Sequence, residues 1–423
     1  MIVQGETETS FGEELRRLRD ARGMSLADLA REVHFDRGHL SKVERSLRGP
    51  SVALARACDS ALGAEGRLVE LAGSVQPSPA QADDLPPAWA LEDSPCAVQF
   101  HRIAASATPF TNHHEQTAAE ARDLYDKLRG HGHAGAPSSL VPLLAAQFGL
   151  LRAAVSTARP PVRDRLVLLA AHYAEYAGWM VQECGDDAGA LALTRVAATL
   201  AASVADGEQG TAAAALRAYT NLRMADVALY RGNGKAVVTL AERTEFVADA
   251  TTAVRTLAAQ RAAQGWALLG RSRECLSALD RADEYAAHEA PHGAGIRLGS
   301  SGGGRLREIV RGWCLLDLGR SEDAAALLTA GLAAAPADAH RARALYGVRL
   351  SMSYATIGDL QGAWESAGTA LARARRVDSA AVRHELRTFG ALLRRRRRTN
   401  RSIADLQARI DRELFREHHS LRT

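Results

Sequence analysis

The sequence predicts an all-α protein, in which a short helical head precedes a long stack of helical hairpins. Three observations predict it. Aromatic residues make up only 5% of the 423 residues, and the alanine-, leucine- and arginine-rich remainder, with few β-branched runs, favours helices over strands. Six of the 13 prolines (Pro77, Pro79, Pro86, Pro87, Pro95, Pro109) fall in residues 74–112, which reads as a linker between two regions of different character. Beyond it, glycines and small residues recur in one register, the mark of a repeat. A composition of 47% hydrophobic and 24% charged residues supports a large core and excludes disorder as the main state.

Residues 10–73 form the head. Phe11, Leu15 and Leu18 lie on one face of a first amphipathic helix that ends near Gly23. Ser25 caps a short helix holding Leu26, Leu29, Ala30 and Val33. A turn at 34–36 leads to a second short helix, with Leu40 and Val43 facing inward and charges outward. After Pro50-Ser51 a further helix buries Leu54, Ala57 and Leu62. Two short helices joined by a tight turn and buttressed by others form a helix-turn-helix.

From about His113 to the end, helix follows helix. Gly185, Gly232, Gly270, Gly319 and Gly358 each separate two amphipathic runs. Five residues after each stands Ala190, Val237, Cys275, Ala324 or Ala363, and seven before stands Gly178, Ala225, Ala263, Gly312 or Ser351. Twelve after, Ala197, Ala282 and Ala370 continue the pattern. A hairpin turn needs a residue tolerant of positive φ, and a close helix crossing needs small side chains. Repeats are clearest over 160–376, with helices at about 114–129 and 138–157 as further units and basic capping helices at 379–417.

Charge is uneven. The net value is +4, yet residues 371–423 hold 15 Arg against 6 Asp or Glu and so carry +9, leaving −5 for the rest. Overall basicity is therefore no argument for nucleic acid. Of 53 basic residues all but Lys42, Lys127 and Lys235 are arginine, a bias that fits a GC-rich genome. The start MIVQGETETS lacks the basic-then-apolar order of a signal peptide, and no uncharged run reads as a membrane span. A cytoplasmic location is expected. Cys58, Cys96, Cys184, Cys275 and Cys314 form no CxxC pair, so they read as reduced core thiols.

The head pattern S-L-A-D-L-A, then H-L-S-K-V-E-R, then G-P-S, resembles the Xre-type, phage-repressor-like helix-turn-helix of transcriptional regulators. That resemblance implies a five-helix DNA-binding domain whose 36–45 helix enters the major groove. It places Arg37, Gly38, His39 and Lys42 at base-reading positions, with Ser25, Ser41, Arg45 and Arg48 on phosphates. Arg37 is the strongest candidate, since its planar fork can grip guanine O6 and N7 together. Glu44 reads as structural, tying the helix to a basic group. One head makes few base contacts, so a homodimer on double-stranded DNA with an inverted repeat is expected.

The hairpin spacing in LGRSRECLSALDRA, LGRSEDAAALLTAGLAAAP and IGDLQGAWESAGTALARA resembles tetratricopeptide (TPR) repeats, which implies an α-solenoid able to dimerise. In a stack of that type the residues beside each crossing should face a hollow: Glu175, Tyr176, Trp179, Gln182, Arg223, Asp226, Gln260, Arg261, Gln264, Trp313 and Arg349. Such a lining suits a peptide backbone or a small polar anion. An Xre-type head on a TPR body resembles bacterial receptors for small secreted peptides, and also actinobacterial regulators that need no ligand. Asparagine, which those peptide receptors present to the peptide, falls near the hollow only at Asn221.

Other signals are weaker. His113, His114, His131 and His133 lack metal-site spacing, so no metal or other cofactor is expected. Gly299 to Gly304 lacks the ending of a phosphate loop and reads as an exposed linker. Arg394 to Arg398 suits DNA phosphates, an acidic partner or a solvated helix face. No catalytic constellation emerges, so an enzyme is not expected. The rival reading is a protein-interaction scaffold whose helix-turn-helix is auxiliary.

Overall fold

The computed structural model describes residues 11–33, 37–45, 50, 52–73, 95–106, 113–205, 207, 209–248, 250–288, 296, 298–299, 306–396 and 401–420. Every regular element among them is an α-helix. The chain divides into two compact units, residues 1–81 and 82–423.

The first unit holds α1 (Phe11–Ala21), α2 (Leu26–Glu32), α3 (Arg37–Glu44), α4 (Val52–Leu62) and α5 (Arg67–Gly73). Phe11, Leu15, Leu29, Leu40, Val43, Leu54, Cys58, Leu62 and Leu68 make its core. Leu40 and Val43, at most 1% exposed, each contribute about 1.5–3 kcal/mol by leaving water. Ser25 caps α2 in a reciprocal box: its hydroxyl accepts from the Asp28 amide at 3.2 Å, and its own amide donates to the Asp28 carboxylate at 3.2 Å. Arg19 on α1 donates to both Glu44 oxygens at 2.5 and 3.1 Å, so Glu44 has the structural role expected of it.

The second unit begins with α6 (Pro95–Ala105), inside the segment expected to be linker. Its Phe100 lies 5.6 Å, centroid to centroid, from Phe148. Prolines argue against a continuing helix, but Pro95 stands at a helix start, where a missing amide costs nothing. Then come α7 (His114–Ala134) and α8 (Pro137–Thr157), followed by five hairpins. These are α9 (Val162–Glu183) with α10 (Asp187–Ala202), α11 (Gly210–Tyr230) with α12 (Gly234–Glu245), α13 (Thr252–Leu268) with α14 (Ser272–Ala287), α15 (Leu306–Asp317) with α16 (Ser321–Ala334), and α17 (His340–Ile357) with α18 (Leu360–Val377). Helices α19 (Ala380–Arg396) and α20 (Arg401–Ser420) close the stack.

All five predicted turn glycines have positive φ, between 68° and 97°. The small residues are where the helices cross. A Cβ on Gly178 would stand 3.2 Å from the Ala190 carbonyl, and one on Gly312 would stand 2.9 Å from Leu328 Cγ. Asp186, Asn233 and Asp359, each following its turn glycine, cap the next helix through amides at 2.8 to 3.1 Å.

Helix α8 is long and apolar enough to cross a membrane by length and composition. Its Leu140, Val141, Leu144 and Leu151 are instead buried against α6 and α9. Of the cysteines, Cys58, Cys275 and Cys314 are buried, Cys184 is half-buried, and all four are free. Cys96 has its side chain outside the described residues. Cys275 and Cys314, 39 positions apart, belong to one hydrophobic core cluster.

Candidate nucleic-acid interface and ligand cavity

On the first unit, α3 buries Leu40 and Val43 and turns its opposite side outward. Arg37 and Gly38, in its first turn, are exposed, as is Arg45 just past its end. Ser41 is half-buried. His39 and Lys42 belong to α3, but their side chains, like all of Arg48, lie outside the described residues. Ser25 is exposed while engaged in its cap. Two exposed arginines at opposite ends of one short helix can meet one groove and its phosphate edge together.

In the second unit, ten of the eleven residues predicted to face a hollow line a single cavity of about 150 Å³. Glu175, Tyr176, Trp179 and Gln182 come from α9, Arg223 and Asp226 from α11, Gln260, Arg261 and Gln264 from α13, and Trp313 from α15. The eleventh, Arg349, does not line it. Its guanidinium stacks 3.5 Å from the Trp313 ring centroid and pairs with Asp317 at 2.9 Å and Glu385 at 3.1 Å. On α17 the lining is shifted towards the helix start, to Arg341, Leu345 and Tyr346. The register rule fails there because the stack curls: α17 and α19 return to touch α7 and α9.

The lining is not the solvated face that repeat geometry suggests. Its charges are buried and paired. Arg223, 5% exposed, meets Glu175 at 3.3 Å and Gln182 Oε1 at 2.7 Å, and also pairs with Asp226. Asp226 in turn receives Arg261 at 2.6 Å. Arg341 donates to the Gly132 and Gly135 carbonyls at 3.0 Å each and to Glu183 at 2.7 Å. Glu183 also accepts from Ser379. This joins the start of the stack to its end.

Burial raises the Glu175 carboxyl above its ordinary range, with Arg223 opposing the rise. Burial, with Arg129 and Arg341 nearby, lowers the His133 imidazole and keeps it neutral. Burial also works against the Arg223 charge, but Asp226, Tyr219 and Glu175 more than offset it.

Sequence reasoning missed Arg129, His133, Tyr219, Glu183, Tyr230, Arg341 and Tyr346 on the lining. Most lie a turn or more from the crossing that set the register. Of the four histidines, His133 stacks on Trp179 at 5.8 Å and His131 Nδ1 lies 2.8 Å from the Lys127 carbonyl. Among the described residues no group of three metal-ligating side chains stands together. Gly299, expected in an exposed linker, is a half-buried part of the cavity wall whose carbonyl accepts from Arg129. Gly302 to Gly304 lie outside the described residues. Arg394 is 3.8 Å from Asp411.

A family model described as a helix-turn-helix domain matches residues 10–72. The first unit is therefore a helix-turn-helix domain, the fold of DNA-binding regulators. No curated protein matches the sequence. Among solved structures, the crystal structure of Bacillus thuringiensis PlcR in complex with the peptide PapR7 and DNA aligns with 14% identity and a TM-score of 0.29, over 83% of this chain and 99% of that one.

Proposed function

We propose that this protein is an Xre-type transcriptional regulator of actinobacterial kind, which reads an inverted-repeat operator as a homodimer and senses a signal through its TPR-like body. The observation that carries the DNA reading is α3 itself: Leu40 and Val43 are buried, while Arg37 and Gly38 are exposed in its first turn. In this reading Arg37, Gly38, His39 and Lys42 meet base edges, and Ser25, Ser41, Arg45 and Arg48 meet phosphates. The body's cavity supports the sensing role, because it gathers residues from six alternate helices, α7 to α17, at one point. A ligand there resets the two heads only through unequal affinity for two arrangements of the dimer.

The test is fluorescence anisotropy of the full chain against its own upstream DNA and a scrambled fragment, across a salt series. The operator reading expects preference for the native fragment, with two chains per site. Arg37→Ala should lose about 1–3 kcal/mol on that fragment and little on the scrambled one. Equal, steeply salt-dependent loss on both fragments would reduce Arg37 to a phosphate contact. Full function in an Arg37→Ala strain would favour the scaffold instead.

A further inference from the structure

The chemistry of the cavity narrows what it can hold. Two of its buried side chains end in nitrogens without a hydrogen-bond partner among the described residues. One is Gln182 Nε2, on a residue 7% exposed, and the other is Trp313 Nε1, on a residue 3% exposed. Both atoms are donors. Leaving a buried donor unmatched costs about 1–3 kcal/mol, so a protein retains two in the lining of one cavity, here from α9 and α15, most readily where an acceptor arrives from outside.

The remaining polar groups do not serve that need. Gln182 Oε1 is already taken by Arg223, and Asp226 is held between Arg223 and Arg261. Among the charged lining groups, Arg129, Arg223, Arg261 and Arg341 outnumber Glu175, Glu183 and Asp226. The wall therefore favours an oxygen-bearing anion over a cation.

Size and surface complete the description. A cavity of about 150 Å³ matches one that admits a single benzene ring, and falls well below the roughly 300–1,000 Å³ of sites that bury drug-sized ligands. Several residues of extended peptide need more room than that. The Trp313 ring stands edge-on to Tyr230 and Tyr346, with centroids 6.4 and 6.1 Å apart. Aromatic edges of this kind suit a ring of similar size.

We propose that the cavity binds a small monocyclic carboxylate, its oxygens accepting from Gln182 Nε2 and Trp313 Nε1 and its ring lying among the aromatic side chains. This rests on reading the cavity as the regulator's signal site, but it names a metabolite-sized acid where that reading alone leaves peptide and small molecule equal.

Isothermal titration calorimetry of the full chain tests it with three probes at millimolar concentration: benzoate, benzylamine of the same size, and tetra-alanine. Benzoate should saturate one site per chain, and the other two should not bind. Trp313→Phe and Gln182→Leu should each weaken benzoate about tenfold, as loss of a hydrogen bond to a charged group requires, with thermal melts confirming that both variants fold. Binding of tetra-alanine without benzoate would overturn the ligand class. So would benzoate binding undiminished in both variants, or no binding by any probe. The DNA readout is separate: benzoate that binds as expected while leaving operator affinity unchanged keeps this assignment and removes the sensing role.

Discussion

The two units solve the same problem, fixing charged side chains on helices, in opposite ways. In the helix-turn-helix unit, apart from the Arg19–Glu44 pair at 12% and 8% exposed, each described ion pair keeps at least one member near water. Glu14 is buried, but its partners Arg17 and Arg67 are 63% and 62% exposed, and Arg37 and Arg45 stand free at the surface. In the repeat unit both members of a pair go inside: Arg341 and Glu183 are 6% and 7% exposed, and lie 158 positions apart. The difference fits the roles proposed for the two units. A surface that meets DNA needs its cations hydrated and available until phosphates replace the water. A cavity wall needs its charges spent on one another, so that only chosen atoms remain to meet a ligand.

The comparison breaks first, and furthest, at Arg341. Arg341→Met leaves Glu183 buried without its charged partner, met by the neutral donors Trp179 and Ser379, and strips the Gly132 and Gly135 carbonyls of the Arg341 donor. Removing one partner of a buried pair costs about 3–5 kcal/mol. Urea unfolding of the full chain should show that loss in the transition of the repeat unit. The matching change in the head, Arg67→Ala, should cost under about 1 kcal/mol, because Arg67 is itself exposed and the buried Glu14 keeps Arg17. Equal losses would mean that burial does not separate the two units.

The units should also answer acid differently. Glu14 is held below the ordinary carboxylate range, first by its hydrogen bond from Arg17 and against the opposing effect of burial. Its stabilisation is present above the unfolded value of 4.5 and fades as pH falls through its lowered folded value. In the repeat unit, His172 is pushed down to about 3 by burial, with Arg129 and Arg122 adding to it. Unfolding frees it to take a proton below its ordinary value of 6.5, so stability falls as pH drops from there. At about 1.4 kcal/mol per unit, the loss reaches roughly 2 kcal/mol by about pH 5. Glu175 acts with the other sign. Its raised value means that stability is fully present below 4.5 and declines as pH rises through the folded value. Denaturant midpoints at neutral pH and near pH 5 should fall for the native chain. In His172→Leu the decline should shrink, because the lowered His133 still contributes in the same sense while Glu175 opposes it. A decline unchanged in that variant would place the acid response elsewhere.

What was legible in the sequence follows the same division. Helix identity, the turn glycines and the crossing residues are local matters, and Gly185 or Gly358 states its role in its own neighbourhood. Ten cavity residues were also readable, because each lies beside a crossing on its own helix. Arg349 and Arg341 exchanged places for a reason no register contains. The stack curls until α17 meets α7 and α9, so the start of α17 faces the cavity and Arg349 faces Glu385. The pairing of the cavity charges was equally hidden, since Arg223 with Asp226 looks from sequence like an ordinary exposed pair three residues apart. Helix α6 escaped because prolines on either side of it outweighed the apolar Phe100 and Ile103.

The most local effect expected lies at the start of α2. Ser25 closes α2 through the Asp28 amide, while Asp28 answers through the Ser25 amide and hydroxyl. Ser25→Ala removes the hydroxyl and keeps the helix sequence, so the head should lose about 1 kcal/mol, the ordinary worth of such a cap. The repeat unit should melt unchanged. The same variant separates two roles assigned to one side chain. If Ser25 only caps, operator affinity at a temperature where the head stays folded should match the native chain. If its hydroxyl also meets a phosphate, affinity should fall on native and scrambled DNA alike, because a phosphate contact carries no sequence information. A threonine at this position, which restores the cap hydroxyl, should recover the stability in either case.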